Sequence, residues 1–350
     1  MLTPHHASMS ATLAQIVGHQ QGHHGWSQLY AALHHLHRLQ HPPLRRLLET
    51  CWQRRPHISD VHLITLLSIA VRDLALRHGD HISVFRPDLT MPQRSDLLAN
   101  LLTEHEDSLA DAASDHSNSF TGARRFLVPQ LLLGHFAARH NLTDVRYLDL
   151  GTSIGLMPRQ LNSRTVFEQF APDLTWRPGQ PAYVDIPLSA RYGVDAHPLP
   201  TLDWIRSCYG PSTYYQDRFS ELLWSLDQTA DVHVDINALN ILDLPRLARH
   251  IRDRQINAVT VSMVLYQYDD ITRRRVIAAV VESLTTPGIL LTMEPAHGLL
   301  QPGCHIDAYL AGSHKPIPVA AVSDAHFIGH ATAEPGLAHI LEPTISRRSA

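Results

Sequence analysis

Residues Tyr147 to Leu156 read Y-L-D-L-G-T-S-I-G-L, and this stretch constrains the fold more than any other in the chain. A short apolar run, Val145 to Leu150, meets a turn of small residues and then an apolar stretch that can continue as helix. The pattern predicts a strand, a tight turn and a helix start. Glycine suits positions 151 and 155 because a Cβ there would clash at positive φ or with a ligand. In a doubly wound sheet such a turn is where a nucleotide-like ligand approaches the backbone, although the same turn also joins strand to helix with no ligand present.

Beyond this turn, apolar strand-like runs recur at Tyr192 to Asp195, Val232 to Ile236, Ala258 to Val264 and Ile289 to Met293. Leu244 to Arg254 and Ile271 to Leu284 read as helices between them. Strand–helix alternation implies parallel crossovers and an α/β three-layer sandwich, a Rossmann-like, doubly wound, mostly parallel sheet. Pro316 to Val322 and Ala325 to Ala331 are expected as a closing pair of strands. Phe167 to Ala190, rich in proline and aromatics, is expected as a hairpin or flap lengthening one crossover.

The chain before the turn is helical in pattern. Met1 to Gly25 is polar and unpatterned, and is expected to fray. Leu29, Leu33, Leu36 and Leu39 make one helical stripe, interrupted at Pro42-Pro43. Asp60 to Arg77 should form a helix capped by Ser59 or Asp60, and a helical stretch opens at Ser95 or Asp96 and runs to about Ala113. A helix over Ala123 to His140 should be kinked, or its start shifted, by Pro129. The expected division is an all-helical N-terminal lid or cap domain, residues 1–115, and a Rossmann-like domain, residues 116–345.

Composition narrows the function classes. The net charge is −4 and no long Lys/Arg stripe is present, which argues against a nucleic-acid surface. Cys51, Cys208 and Cys304 are few and far apart, which fits a reducing compartment. No secretory signal pattern opens the chain, and its most apolar early stretch, Val61 to Leu76, is too short and polar to span a bilayer. The expectation is a soluble cytoplasmic protein with no nucleic-acid or membrane partner and a small-molecule substrate. Histidine is abundant, with 26 copies. His34 and His37, or His37 and His41, can share a helical face, but no Cys or Glu completes a ligand set, and His105-Glu106 lacks the second histidine of a zinc helix; no metal is expected.

Open parallel sheets bind ligands beyond the C-terminal ends of their strands. The residues there are Asp149, the Gly151, Ser153 and Gly155 turn, Asp195, Asp235 to Asn237, and Ser262 to Asp269. A carboxylate such as Asp195 can accept from two ribose hydroxyls, and Asp235 or Asn237 can read an adenine amino group. Asp149, just before the turn, suits a ligand with a positive amino group and suits a pyrophosphate poorly. The turn also lacks the G-x-G-x-x-G order and the P-loop Lys-Ser/Thr pair. S-adenosylmethionine, with its ammonium, sulfonium and ribose, fits these acids better than NAD or ATP. Tyr266, Tyr268 and His297 are the candidate catalytic groups, with Asp269 and Glu294 nearby. The tyrosines can orient an acceptor, and His297 can act as a base near neutral pH.

With these residues in view, the chain resembles the class I S-adenosylmethionine-dependent methyltransferases. Asp149 to Gly155 is similar to their first motif, with Ser153 where a middle glycine is common. The resemblance implies cofactor contacts from Asp149, Gly151, Ser153, Gly155, Asp195, Asp235, Asn237 and Ser262. A closer resemblance, over most of the chain, is to an uncharacterised family with a helical N-terminal half and a methyltransferase-like C-terminal half. It rests on Asn118 to Arg124, Gly151 to Leu156, Gly193 to Pro198, and Trp204-Ile205-Arg206 followed by Pro211 and Arg218. It implies that Asn118 and Arg124 serve substrate binding. Met157-Pro158 departs from that family's pattern. Three readings stand: a small-molecule O- or N-methyltransferase, a non-catalytic binding or regulatory protein of the same fold, and a different nucleotide-dependent enzyme.

Overall fold

The structure is a computed structural model and describes residues 4–19, 26–79, 84–295 and 303–341. The chain forms two compact units, Met1–Phe120 with Pro200–Ser220, and Thr121–Leu199 with Glu221–Ala350. The division read linearly at residue 115 does not contain the returning segment 200–220.

The first unit holds α1 (Pro4–His19), α2 (Trp26–Arg38), α3 (Pro42–Arg54), α4 (Asp60–His78), α5 (Met91–Glu104) and α6 (Glu106–Asp115). The α1 segment is helical where fraying was expected, because Met9, Leu13 and Ile16 are buried along one side of it. Leu29, Leu33 and Leu36 form the buried stripe of α2, but Leu39 is 65% exposed because the helix ends one residue earlier. Ser59 caps α4 by accepting from the His62 N–H. The stretch read as one helix from Ser95 is two, α5 starting at a Thr90/Gln93 capping box and α6 beginning after His105.

The remaining helices are α7 (Leu127–Arg139), α8 (Leu156–Gln160), α9 (Arg164–Phe170), α10 (Leu202–Cys208), α11 (Thr213–Gln228), α12 (Leu244–Asp253) and α13 (Asp270–Val281). Of these, α10 belongs to the first unit, and α11 changes unit after Ser220. Pro129 lies in the first turn of α7, where its missing N–H costs no helical hydrogen bond, so the helix starts late instead of kinking.

The second unit is built on one nine-stranded sheet. Its strands are β1 (Val145–Leu150), β2 (Leu174–Arg177), β3 (Leu188–Asp195), β4 (Asp235–Ala238), β5 (Ala258–Ser262), β6 (Ile289–Pro295), β7 (Cys304–Leu310), β8 (Ile317–Val322) and β9 (Gly329–Ala333). The order is β2-β9-β8-β7-β6-β5-β1-β3-β4. From β4 to β6 every neighbouring pair is parallel; β6 to β9 is an antiparallel meander; β2 pairs parallel with β9. Parallel strands covered on both faces are buried along their length, and β1, β5 and β6 are buried at nearly every position. On one face, Leu148, Leu150, Val259 and Val261 pack with Leu247 and Ile251 of α12 and Val276 and Val280 of α13.

Three strand assignments differ from the sequence reading. Residues 167–190 form no hairpin, since β2 leaves the crossover to pair with β9 at the far edge. β7 was not anticipated. β4 begins at Asp235, so the run read as Val232 to Ile236 is displaced toward the C-terminus.

Candidate functional site

The register of the parallel strands brings Leu150, Val194 and Asn237 to one level, and Asp195 beside Ala238. The turn after β1 passes over these ends. Gly151, Ser153 and Gly155 all have positive φ, 73°, 55° and 74°. Ser153 therefore takes the left-handed conformation that a glycine would adopt freely, at a cost of about 1 kcal/mol. Two hydrogen bonds hold it there. Its N–H donates to Asp195 Oδ2 at 2.7 Å, and its hydroxyl accepts from the Thr121 hydroxyl at 3.0 Å. Asp195 Oδ1 accepts from the Ala196 N–H at 2.8 Å. Burial pushes the Asp195 carboxyl above its ordinary value, and these two N–H groups oppose the shift.

Asp149 lies deeper, 4% exposed, with Oδ1 accepting from Thr260 Oγ1 at 2.6 Å. Thr260 also bonds the buried Tyr147 hydroxyl. Burial pushes Asp149 up to about 7, against the pull of the Thr260 hydroxyl and the Arg125 charge. This acid is part of the sheet interior beneath the turn.

The loop after β5 is held from both of its polar sides. Glu294, near the end of β6, accepts the N–H groups of Val264 and Leu265 on Oε1 at 3.1 and 2.9 Å, and that of Tyr266 on Oε2 at 2.9 Å. Arg273 of α13 collects three carbonyls of the same loop. Its Nε donates to Leu265 O and Tyr268 O at 2.9 and 2.8 Å, and its Nη2 to Tyr266 O at 3.1 Å. Successive N–H groups turned to one side make an anion-binding nest, and here the occupant is the protein's own carboxylate. Burial raises Glu294 to about 7 although the three N–H groups and Arg273 favour its charge. Met263 enters the loop at φ 55°. Tyr268 leans on the core beside α12 and α13, and Asp269 caps α13 by accepting from Thr272 N–H at 2.8 Å.

Several expected site residues are placed elsewhere. Asp235 opens β4 instead of ending a strand, three register positions below Ala238. Its Oδ1 accepts from Asn237 Nδ2 at 3.0 Å, and Arg254 lies 3.8 Å from Oδ2, so Asp235 and Asn237 share the face turned toward Arg254. Asp235 thus begins the strand, while Asn237 stands level with Leu150 and Val194, and Leu239 and Asn240 leave the strand end. Arg124 is committed to Asp173, at 2.7 and 2.9 Å, and to Glu221, over the Phe170 ring, which leaves no guanidinium edge for a substrate. Asn118 lies in the first unit, where its Oδ1 accepts from the Phe120 N–H at 3.2 Å. His297 lies outside the described residues.

The neighbouring Arg125, which the sequence did not single out, is the cation near the strand ends. Its charge lowers the pKa of both Asp149 and Cys304. A side chain at Gly122 would place a Cβ 3.0 Å from Arg125 Nε, so that glycine gives Arg125 its room. Only the adjacent Arg-Arg pair signalled it, and nothing local says which arginine turns which way. All three cysteines are free and buried, and among the described residues no group of three or more His, Cys, Asp or Glu is placed to hold a metal. No helix among the described residues is long and apolar enough to cross a membrane.

The residues can be tested against the cofactor that the resemblance implies. A carboxylate offers about four acceptor positions. Asp195 uses two, leaving two for a pair of ribose hydroxyls. Ser262 Oγ, at the end of β5, is buried without a hydrogen-bond partner, a polar atom that a ligand can satisfy. The glycines themselves are needed by protein packing. A Cβ at Gly151 would lie 2.4 Å from Val264 Cγ2, and one at Gly155 2.8 Å from Ile236 Cδ1. The fit therefore rests on Asp195 and Ser262.

No protein-family model and no curated protein matches the chain. Among solved structures it is similar to an S-adenosylmethionine-dependent methyltransferase from Clostridium acetobutylicum ATCC 824, at 12% identity and TM-score 0.26, over 63% of this chain and 77% of that one. It is also similar to PigF with SAH, at 11% identity and TM-score 0.24, over 66% and 73% of the respective chains. The strand order is the stronger finding. The parallel strands β4-β3-β1-β5-β6 run third, second, first, fourth, fifth, with the glycine turn after the first and an antiparallel strand beyond the last, and this makes the second unit a Rossmann-like, class I methyltransferase-like fold.

Proposed function

We propose that the protein binds S-adenosylmethionine over the ends of β1, β3 and β5 and methylates an oxygen or nitrogen of a small molecule. The observation that carries this is Asp195, which is tied to the glycine turn through the Ser153 N–H and keeps acceptor positions free at the end of β3. In this reading Asp195 takes the ribose hydroxyls and Ser262 Oγ a further polar atom of the ligand. Bound there, the cofactor would supply a sulfonium methyl that the acceptor's lone pair takes in line as the carbon–sulfur bond breaks. The clamped loop orients the acceptor through Tyr266 and Tyr268, since a transfer of this kind depends mainly on positioning. His297 retains the role of base that its sequence position suggests. Three buried free thiols suit a reducing, cytoplasmic setting.

The test is calorimetric titration of the protein with S-adenosylmethionine and S-adenosylhomocysteine, repeated on Asp195→Ala. Micromolar binding that weakens at least tenfold in the variant supports the site. Absence of binding to both ligands overturns it, and a titration with NADH then examines the other nucleotide reading. A non-catalytic binding protein is the second reading, favoured by the Val264 and Ile236 side chains packed against Gly151 and Gly155. It predicts binding with no methyl transfer across an acceptor screen.

A further inference from the structure

The sheet of the second unit has a second concavity at the end opposite the glycine turn. Leu310 ends β7 there, opposite the Ile289 that begins β6; Ile317 begins β8, Pro335 follows β9, and Arg139 ends α7. Leu310, Ile317, Pro335 and Arg139 line a cavity of about 570 Å³, a volume within the usual range for small-molecule sites. Its floor is apolar, made by Leu310, Ile317 and three prolines. It is also closely packed, since a Cβ on Gly336 would lie 2.3 Å from Pro318 O and 2.5 Å from Ile317 Cγ2.

The rim carries one sign of charge. Arg139 and Lys315 carry it, and none of the lining residues is acidic. Among the described residues neither Arg139 nor Lys315 has a carboxylate partner. Arg139 Nη1 instead donates to two backbone carbonyls, Ala338 O at 3.2 Å and Leu341 O at 2.9 Å, which fix the guanidinium without neutralising it. Of the acids near the rim, Glu282 is taken by His314 at 2.9 Å, and Glu334, just before Pro335, makes no ion pair with either cation among the described residues. An apolar floor under two uncompensated cations is complementary to a molecule that is apolar at one end and anionic at the other.

We propose that this cavity is a binding site for a small carboxylate with an apolar body, distinct from the site at the strand ends. The carboxylate meets Lys315 and the free edge of Arg139, and the apolar body covers Leu310, Ile317 and the prolines. The site does not depend on the methyltransferase reading, because it shares no residue with the glycine turn, Asp195 or the loop after β5.

The experiment is calorimetric titration of the full chain with octanoate, 1-octanol and octylammonium at low salt and at 0.5 M NaCl. Octanoate should bind with a sub-millimolar Kd that weakens severalfold at high salt, because exposed charges are screened. The neutral alcohol should bind at least tenfold more weakly and the ammonium not at all. Lys315 is exposed, so Lys315→Glu should fold as the parent does, checked by its melting temperature, and should lose octanoate binding at least tenfold. Absence of octanoate binding, equal affinity for octanol, or unchanged affinity in Lys315→Glu would each overturn the proposal. Asp195→Ala should leave octanoate affinity unchanged; a parallel loss there would also count against a separate site.

Discussion

Asp195 at the end of β3 and Glu294 near the end of β6 are both carboxylates that accept backbone N–H groups, and both are pushed upward in pKa by burial. The difference is in what remains. Asp195 accepts two such bonds, from residues on either side of an open strand end. Glu294 accepts three, from consecutive residues of one loop, with Arg273 closing the loop from its carbonyl side. A carboxylate with spare acceptor capacity can serve a ligand. One whose capacity is nearly consumed serves the fold. Strand-end position alone does not separate the two, because both have it.

The largest effect should come from Glu294→Ala. Three buried N–H donors would lose their acceptor, costing about 4 kcal/mol in urea denaturation. Formate should recover part of that loss in a saturable way, because the vacated nest is an anion site; no effect of formate would mean the loop had collapsed into another conformation. Gly151→Ala comes next, at about 2 kcal/mol, from positive φ and the 2.4 Å approach to Val264 Cγ2. Adding Val264→Ala should return the steric part and leave the conformational part. Asp195→Ala should cost only about 1 kcal/mol of stability while weakening the proposed S-adenosylmethionine binding at least tenfold. A stability loss as large as that of Glu294→Ala would erase the distinction drawn between the two acids.

The remaining prediction concerns pH. Asp149 and Glu294 titrate near 7 in the folded chain and near 4 when unfolded. The folded chain thus holds these protons more tightly, so stability falls as pH rises from about 4 to about 7 and the loss is complete above that. Asp149→Asn should flatten this decline between pH 5 and pH 8, measured as urea midpoints; an unchanged slope would show that Asp149 is ionised throughout.

Much of the second unit was legible because its signals are local. The apolar run of β1, the small-residue turn and an acid at the end of β3 need no knowledge of distant residues. What the sequence concealed is non-local. Arg124 and Arg125 are adjacent, yet one is fixed by Asp173 and Glu221 while the other lies near Asp149 and Cys304. Glu294 was visible as an acid after a strand, but the N–H groups it serves belong to a loop some thirty residues earlier. The shift of β4 followed from Val232 and Val234, whose apolar pattern precedes the strand instead of forming it, though Val234 is buried. β7 alternates buried Cys304, Ile306 and Ala308 with more open His305 and Asp307, the half-buried pattern of an antiparallel strand, and was overlooked because its apolar residues are small and few.

The pairing of β2 with β9 sets an order of events during synthesis. Leu174 has Gly329 as its partner, so β2 waits for a segment synthesised long after it. Until then the nascent chain can assemble the parallel strands around β1, but β2 remains an unpaired edge, the kind of surface that recruits other chains. Closure of the sheet is therefore a late, long-range step, and growing chains should be most vulnerable to aggregation just before residue 329 emerges.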